Sequence, residues 1–99
     1  MQEADDEFYD RADAHIQLSN SQVTDEITRG KVSSSFMYSV ARYNAWVSAC
    51  GWPNATEMKE AKEETIEYFA EEFKKMLEEN LDDYIDNFET YMQSSDNNA

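Results

Sequence analysis

Length, composition and charge limit what this chain can be. Its 99 residues suffice for one domain and not for two, because a chain of this size buries only about 60–65% of its unfolded surface on folding. The 22 acidic and 8 basic side chains give a net charge of −14, which repels nucleic acid and anionic membranes, and 40% hydrophobic with 13% aromatic residues exceed what a disordered chain contains.

The first predicted helix runs from about Asp5 to Val23. At about 100° per residue, its apolar side chains share one face and its charged side chains the opposite one. The apolar face consists of Phe8, Ala12, His15, Ile16, Ser19 and Val23. Residues 24–30 show no sustained period, so they are predicted to form a connector.

The second predicted helix runs from about Lys31 to Cys50 and is nearly uncharged. Between Val32 and Cys50 there is one charge, Arg42, in a chain that averages 30% charged residues. Large side chains occupy one face and small ones another, which is typical of a helix in the middle of a bundle. The large face consists of Val32, Phe36, Val40, Tyr43, Trp46, Val47 and Cys50.

A sharp boundary follows the second helix. Gly51 suits the left-handed position just past a helix end, and Pro53 prevents the helix from continuing. Asn54, with Glu57 three residues later, resembles a capping box that begins a new helix.

The third predicted helix covers Asn54 to Met92 and carries most of the acidity. Residues 55–92 hold 13 acidic and 4 basic side chains, a net charge of −9. A straight helix of about 38 residues would be roughly 57 Å long, which is too long for a compact domain of this size. We therefore expect a continuous or bent helix whose end needs a partner, with a break near Asn80 as the alternative.

The exposed end of this helix predicts a homodimer, because an apolar surface in water marks an interaction site. The predicted partner or dimer surface consists of Tyr84, Ile85, Phe88, Tyr91 and Met92. The polar tail, residues 94–99, is predicted to fray.

Few residues in this chain are suited to catalysis. Cys50 is the single cysteine, so it has no internal disulfide partner, and we expect a buried thiol beside Trp46 and Val47. His15 is predicted to be a hydrogen-bonded core histidine, and Arg42 to form a structural ion pair with one of the many carboxylates. Asn44 is predicted to hydrogen-bond a neighbouring helix. An enzyme that uses His15, Arg42, Asn44 and Cys50 is the less favoured alternative.

Cofactor and metal sites are not expected. The residue three positions before His15 is Ala12, so the Glu-x-x-His motif of four-helix di-iron proteins is absent. The acidic runs follow helical spacing, which is typical of a solvated face. The third predicted helix carries a stripe of aromatic side chains, but no glycine-rich phosphate loop accompanies it. The stripe consists of Phe69, Phe73, Tyr84, Phe88 and Tyr91.

Three segments carry a resemblance to a known family. They are Phe8-Tyr-Asp-Arg-Ala-Asp-Ala-His15, Arg29-Gly-Lys-Val-Ser-Ser-Ser-Phe-Met-Tyr-Ser-Val-Ala-Arg-Tyr-Asn-Ala-Trp-Val47 and Met76-Leu-Glu-Glu-Asn-Leu-Asp-Asp-Tyr-Ile-Asp-Asn-Phe88. Together they resemble a bacterial family of small acidic helical proteins known only as a domain of unknown function. The resemblance covers about Glu7 to Tyr91 and implies a bacterial cytosolic protein, with no catalytic or ligand residues to carry over.

The sequence thus predicts an all-α, single-domain protein over residues 1–93. Its architecture is a three-helix bundle, or a four-helix one if the chain breaks at Asn80, with the second helix in the centre and a long acidic third helix. The lack of any apolar stretch of about 20 residues and the acidic N-terminus predict a cytoplasmic location.

The predicted function is that of an interaction or regulatory module. It would self-associate and use its acidic helical surface to bind a protein partner, one with a basic surface, rather than nucleic acid or membrane. The alternative is a nucleic-acid mimic that occupies a basic DNA-binding protein.

Overall fold

The structure is a computed structural model that describes residues 5–97, with side chains described through Gln93. Within residues 5–97 all regular structure is helical and no strand occurs, which confirms the all-α prediction. The helices are α1 (Phe8–Ser21), α2 (Arg29–Cys50), α3 (Ala55–Glu60), α4 (Lys62–Asp86) and α5 (Phe88–Asn97).

Asp5 organises the start of α1. Its carboxylate accepts a hydrogen bond of 2.9 Å from the Glu7 backbone N–H and another of 2.9 Å from the Arg11 guanidinium. The hydrogen bond from Arg11 is the main reason that the pKa of Asp5 lies below its usual value. The helix begins at Phe8, three residues after the predicted start at about Asp5, and ends at Ser21.

Thr28 determines where α2 begins. Its hydroxyl oxygen accepts a hydrogen bond of 3.2 Å from the Lys31 N–H, and its carbonyl oxygen accepts one of 3.2 Å from the Val32 N–H. A threonine in this capping position satisfies backbone donors that a helix start leaves unpaired. The helix accordingly begins at Arg29, two residues before the predicted start at about Lys31.

The end of α2 corrects one prediction. Gly51 has φ −90° and ψ −4°, so it is right-handed rather than left-handed. Its N–H donates to the Ser48 carbonyl oxygen at 3.0 Å, which tightens the last turn without using the conformational freedom of glycine. The helix still ends at Cys50, as predicted.

In this structure α2 is packed on one side and not surrounded. The first helix contacts it, and the His15 ring lies 6.3 Å from the Phe36 ring. Val32, 6% exposed, is the sole buried side chain in the described part of the chain. Within residues 5–97, α1 packs against one face of α2 and most other α2 side chains are exposed, so a bundle with α2 in its centre stays a prediction.

Three helices replace the predicted third helix. Asn54 confirms its predicted capping role, since its side-chain oxygen accepts a hydrogen bond of 2.9 Å from the Glu57 N–H. Asn80 does not break the chain: it lies inside α4 and donates from its side chain to the Met76 carbonyl oxygen at 2.7 Å. The interruptions fall instead at Ala61 and Asn87.

The interruption at Asn87 has a local cause. The residue leaves helical geometry, with φ −120° and ψ 26°. Its side-chain amide donates to the Asp83 carbonyl oxygen at 2.9 Å and to the Asp83 carboxylate at 3.0 Å. Asn80 also bonds the carbonyl oxygen four residues earlier and stays helical, so the additional bond to the Asp83 carboxylate distinguishes Asn87. Local side-chain bonds of this kind compete with the helical hydrogen-bond pattern.

The described helices fall into two compact units, with the boundary between Met58 and Lys59, inside α3. In the first unit α1 packs against α2, and in the second α4 packs against α5. The prediction of a single domain over residues 1–93 stays a prediction. The backbone of α5 is helical to Asn97, into the segment that we expected to fray, and residues 98–99 lie outside the described residues.

Candidate functional site

The residues predicted to form a partner surface lie at the junction of α4 and α5. Ile85 is 69% exposed and Phe88 is 60% exposed, while Tyr84 and Tyr91 are also exposed and Met92 is half-buried. Large apolar side chains at such exposure retain most of the hydrophobic free energy that burial would release. The structure thus leaves this surface uncovered in the second unit.

Hydrogen bonds fix the position of α5 at the end of α4. The Tyr91 hydroxyl donates to the Asp83 carboxylate, with oxygen distances of 3.3 and 3.2 Å, and the Tyr84 and Tyr91 rings meet edge to face with centroids 5.0 Å apart. The negative charge of Asp83 is the main reason that the pKa of the Tyr91 phenol is raised above its ordinary value. These contacts hold the two helices in a defined arrangement that presents the apolar side chains.

The charge around this junction is entirely negative. Residues 76–91, which we call the acidic end, contain six acidic side chains and neither lysine nor arginine. The acids are Glu78, Glu79, Asp82, Asp83, Asp86 and Glu89. A partner that covers the apolar side chains must therefore carry positive charge or tolerate the field of these carboxylates.

A second exposed surface lies on α2. Three aromatic side chains and an arginine surround a shallow surface cleft of about 580 Å³, which we call the α2 outer face. It is lined by Tyr38, Ser39, Arg42, Tyr43, Ala45 and Trp46. The Tyr43 and Trp46 rings pack with centroids 5.5 Å apart, and Trp46 is 59% exposed.

The contacts predicted for the three polar residues do not occur among residues 5–93. Arg42 is exposed, and no carboxylate pairs with it among residues 5–93, because the neighbouring α2 residues are uncharged. His15 is exposed and contacts the Phe36 ring, so it is not a core histidine. Asn44 is half-buried, and within the described residues no hydrogen bond joins its side chain to another helix. The predicted internal ion pair of Arg42 is thus absent from the described part of the chain.

The enzyme alternative loses its reacting pair. Cys50 is exposed rather than buried. It lies fourteen residues beyond Phe36 on α2, about 21 Å along the helix axis, whereas the His15 ring lies beside Phe36. The thiol and the imidazole are therefore too far apart for proton transfer. Among the described residues, no three His, Cys, Asp or Glu side chains form a candidate metal site.

Sequence reasoning did not identify the α2 outer face as exposed. The pattern that marks it is present in the sequence, since Tyr38, Arg42 and Trp46 follow one another at four-residue spacing and so share a helical face. The uncharged character of α2 instead favours a covered position in the core. Composition shows that a face is apolar but not which surface covers it.

The comparisons with known proteins identify the family. A family described as proteins of unknown function, DUF3144, matches residues 8–85. The chain belongs to this family. The chain is also similar to the NMR structure of the protein NB7890A from Shewanella sp, with 38% sequence identity and a TM-score of 0.76, over 94% of this chain and 98% of that one. No curated protein matches the chain.

The DUF3144 match includes the whole α2 outer face and most of α4, and it ends at Ile85, before Phe88, Tyr91 and Met92. Neither the family description nor the name of the Shewanella protein indicates an activity or a ligand. No helix within residues 5–97 combines the length and apolar character needed to cross a membrane.

Proposed function

We propose that this DUF3144 chain is an interaction module that self-associates through its uncovered apolar helical surfaces. The observation that carries the proposal is the burial pattern: among the described residues 22 large hydrophobic side chains are exposed and one, Val32, is buried. A monomeric domain stabilises itself by burying such side chains, and large exposed apolar patches mark interaction sites.

The α4–α5 junction is the part of this surface that supports the proposal best. Ile85 and Phe88 flank the helix break at Asn87, and the Asp83 contacts to Asn87 and Tyr91 hold the break in one arrangement. Preorganised apolar side chains lose little conformational entropy when a partner covers them. In this proposal the bundle that the sequence predicts is completed by more than one chain.

The remaining acidic surface is available for a second role. The carboxylates on the polar side of α4 attract proteins with basic surfaces by electrostatic steering. Pull-downs at low and at moderate salt test this role, and failure to retain a basic protein at either salt concentration would contradict it.

Nucleic-acid mimicry stays a prediction from sequence, and competition with DNA for a basic protein is the assay that separates it from this role. We propose the cytoplasm as the location of the protein in either role.

Self-association is tested by the mass of the chain in solution. Light scattering coupled to size exclusion is measured from micromolar to near-millimolar concentration, and we expect the mass to rise from 11.5 kDa to twice that value. The substitution Phe88→Ser removes a 60% exposed ring and is expected to weaken association more than tenfold.

The matched control is Tyr9→Ser, which removes a similarly exposed ring from α1, outside the junction. This substitution is expected to leave association nearly unchanged. A wild-type chain that stays at 11.5 kDa throughout the concentration range would refute the proposed function.

A further inference from the structure

We infer that the α2 outer face of one copy binds the acidic end of a second copy, so that a dimer contains this contact twice. The inference rests on the proposed self-association and goes further, because it names both surfaces that meet. It is carried by charge complementarity and by the matching apolar areas, and a twofold axis allows both contacts to form within one dimer.

Charge separates the two surfaces. From Ile27 to Thr56 the chain contains Arg29, Lys31 and Arg42 and no acidic residue, a local charge of +3 within a chain of −14. The acidic end carries six acids and no base. A dimer that paired two acidic ends would bring like charges together, whereas pairing an acidic end with α2 brings opposite charges together. The α2 helix is thus the part of the chain that an acidic surface can approach without repulsion.

The exposed guanidinium of Arg42 supplies a specific contact for this pairing. Arg42 is one helical turn from Tyr38 and one from Trp46 on the same face of α2, lines the same cleft, and has no carboxylate partner in the described chain. On α4, Asp82 and Asp86 are one turn apart and beside Ile85. An arginine that is flanked by aromatic rings matches a surface on which carboxylates flank apolar side chains.

The areas also match. Aromatic side chains bury about 150–250 Å² each, so three rings that are roughly 60% exposed offer on the order of 400 Å² on the α2 outer face. Leu81, Tyr84, Ile85 and Phe88 offer a comparable area at the acidic end. Covering both surfaces in two copies removes roughly 1,600 Å² from water, the size of an ordinary stable interface. The two surfaces also have similar lengths, roughly 10–12 Å along their helices.

Symmetry completes the argument. In a dimer with a twofold axis, the contact of surface A with surface B occurs twice, because each chain supplies both surfaces. The α2 outer face and the acidic end are two such surfaces on one chain. A closed dimer of this kind covers both of them and leaves no unpaired copy of either.

Complementary charge reversal tests the inference. Arg42→Glu places an acid opposite the acidic end, and the double substitution Asp82→Arg with Asp86→Arg places bases opposite Arg42. Either variant alone meets like charges at both contacts, so we expect roughly 100-fold weaker self-association. In an equimolar mixture, one chain of each variant can form a heterodimer with two contacts. At one contact both surfaces are unaltered, and at the other both surfaces are substituted, so opposite charges meet at both contacts. Light scattering and native mass spectrometry are then expected to show a heterodimer.

The outcomes distinguish the inference from the proposed function. If the wild type is dimeric and both variants also stay dimeric, or if the mixture stays monomeric, the inference is overturned and self-association stands. A monomeric wild type overturns both. The control Lys59→Glu changes the net charge by the same amount as Arg42→Glu but lies in α3, and it is expected to leave the dimer intact. Circular dichroism checks that every variant is as helical as the wild type.

A measurement on the unaltered surfaces gives an independent answer. Cys50 is the single cysteine and is exposed at the end of α2, so it accepts a nitroxide spin label. Spin-labelled copies without isotope are mixed with ¹⁵N-labelled copies of Cys50→Ser. The inference expects broadening of amide signals in residues 76–91 of the ¹⁵N chain. Broadening confined to α2 signals, or none in a confirmed dimer, would overturn it.

Discussion

Truncation of Val32 tests the packing of α1 on α2 most simply. Val32 is 6% exposed, and the substitution Val32→Ala removes two methyl groups from the one buried position in the described chain. At about 0.8 kcal/mol per buried carbon, the lost transfer free energy is about 1.5 kcal/mol, and the cavity raises the cost to about 2 kcal/mol.

Val40→Ala is the matched control, because it makes the same chemical change in the same helix. Val40 is 41% exposed, so its truncation costs about 0.9 kcal/mol of transfer free energy. Alanine improves helix propensity by about 0.5 kcal/mol at either position, and this gain cancels in the comparison. We therefore expect Val32→Ala to lower the free energy of unfolding by about 1 kcal/mol more than Val40→Ala.

Urea denaturation followed by circular dichroism measures this difference. Both variants are compared at a low concentration at which the wild type has the mass of one chain, and the slope of free energy against urea should not change. Equal costs for the two valines, or a larger cost for Val40, would contradict the packing of α1 on the first turns of α2.

Two further predictions concern single polar contacts. Asn54→Ala removes the cap of α3 and is expected to lower the free energy of unfolding by about 1 kcal/mol, whereas Asn54→Ser keeps a capping oxygen and is expected to lower it much less. Equal losses of unfolding free energy in urea melts of the two variants would contradict the capping role. The raised pKa of Tyr91 means that its contact with Asp83 stabilises the fold below the ordinary tyrosine value of 10.0 and is lost as the pH rises through the raised pKa. The difference between ultraviolet titrations of the wild type and of Tyr91→Phe isolates the Tyr91 phenol, which is expected to ionise above pH 10.0. Ionisation of this phenol at or below pH 10.0 would refute the contact.

The first two helices could be predicted from the sequence because their ends have local causes. The Thr28 cap and the Gly51–Pro53 boundary are encoded within a few residues, and the predicted bounds of α2 differ from the observed ones by two residues at most. The same holds for the Asn54 cap. Such signals act over one helical turn and require no knowledge of tertiary packing.

The division of the third segment could not be predicted in this way. Apolar residues keep one phase from Ile66 through Tyr84 and beyond, so periodicity alone indicates a continuous helix. Asn87 differs from Asn80 in its additional side-chain bond to the Asp83 carboxylate, and a periodic pattern does not reveal such a bond. Asn80, with the same side chain, stays within α4.

The exposure of α2 has a different explanation. Its lack of charge indicates that the helix is covered, but the sequence does not say whether the cover comes from the same chain or from another one. The face that contains Phe36 packs on α1, and in our proposal the face that contains Trp46 is covered by a second copy. In this interpretation α2 is covered, as the sequence predicts, but a second copy of the chain provides part of the cover.

Hydrogen–deuterium exchange of α2 at two protein concentrations tests this interpretation most directly. We predict that peptides covering residues 38–46 exchange more slowly at high concentration than at dilution, and that residues 76–91 show the same dependence. Equal exchange rates at both concentrations in these two segments would contradict the claim that a second copy covers them.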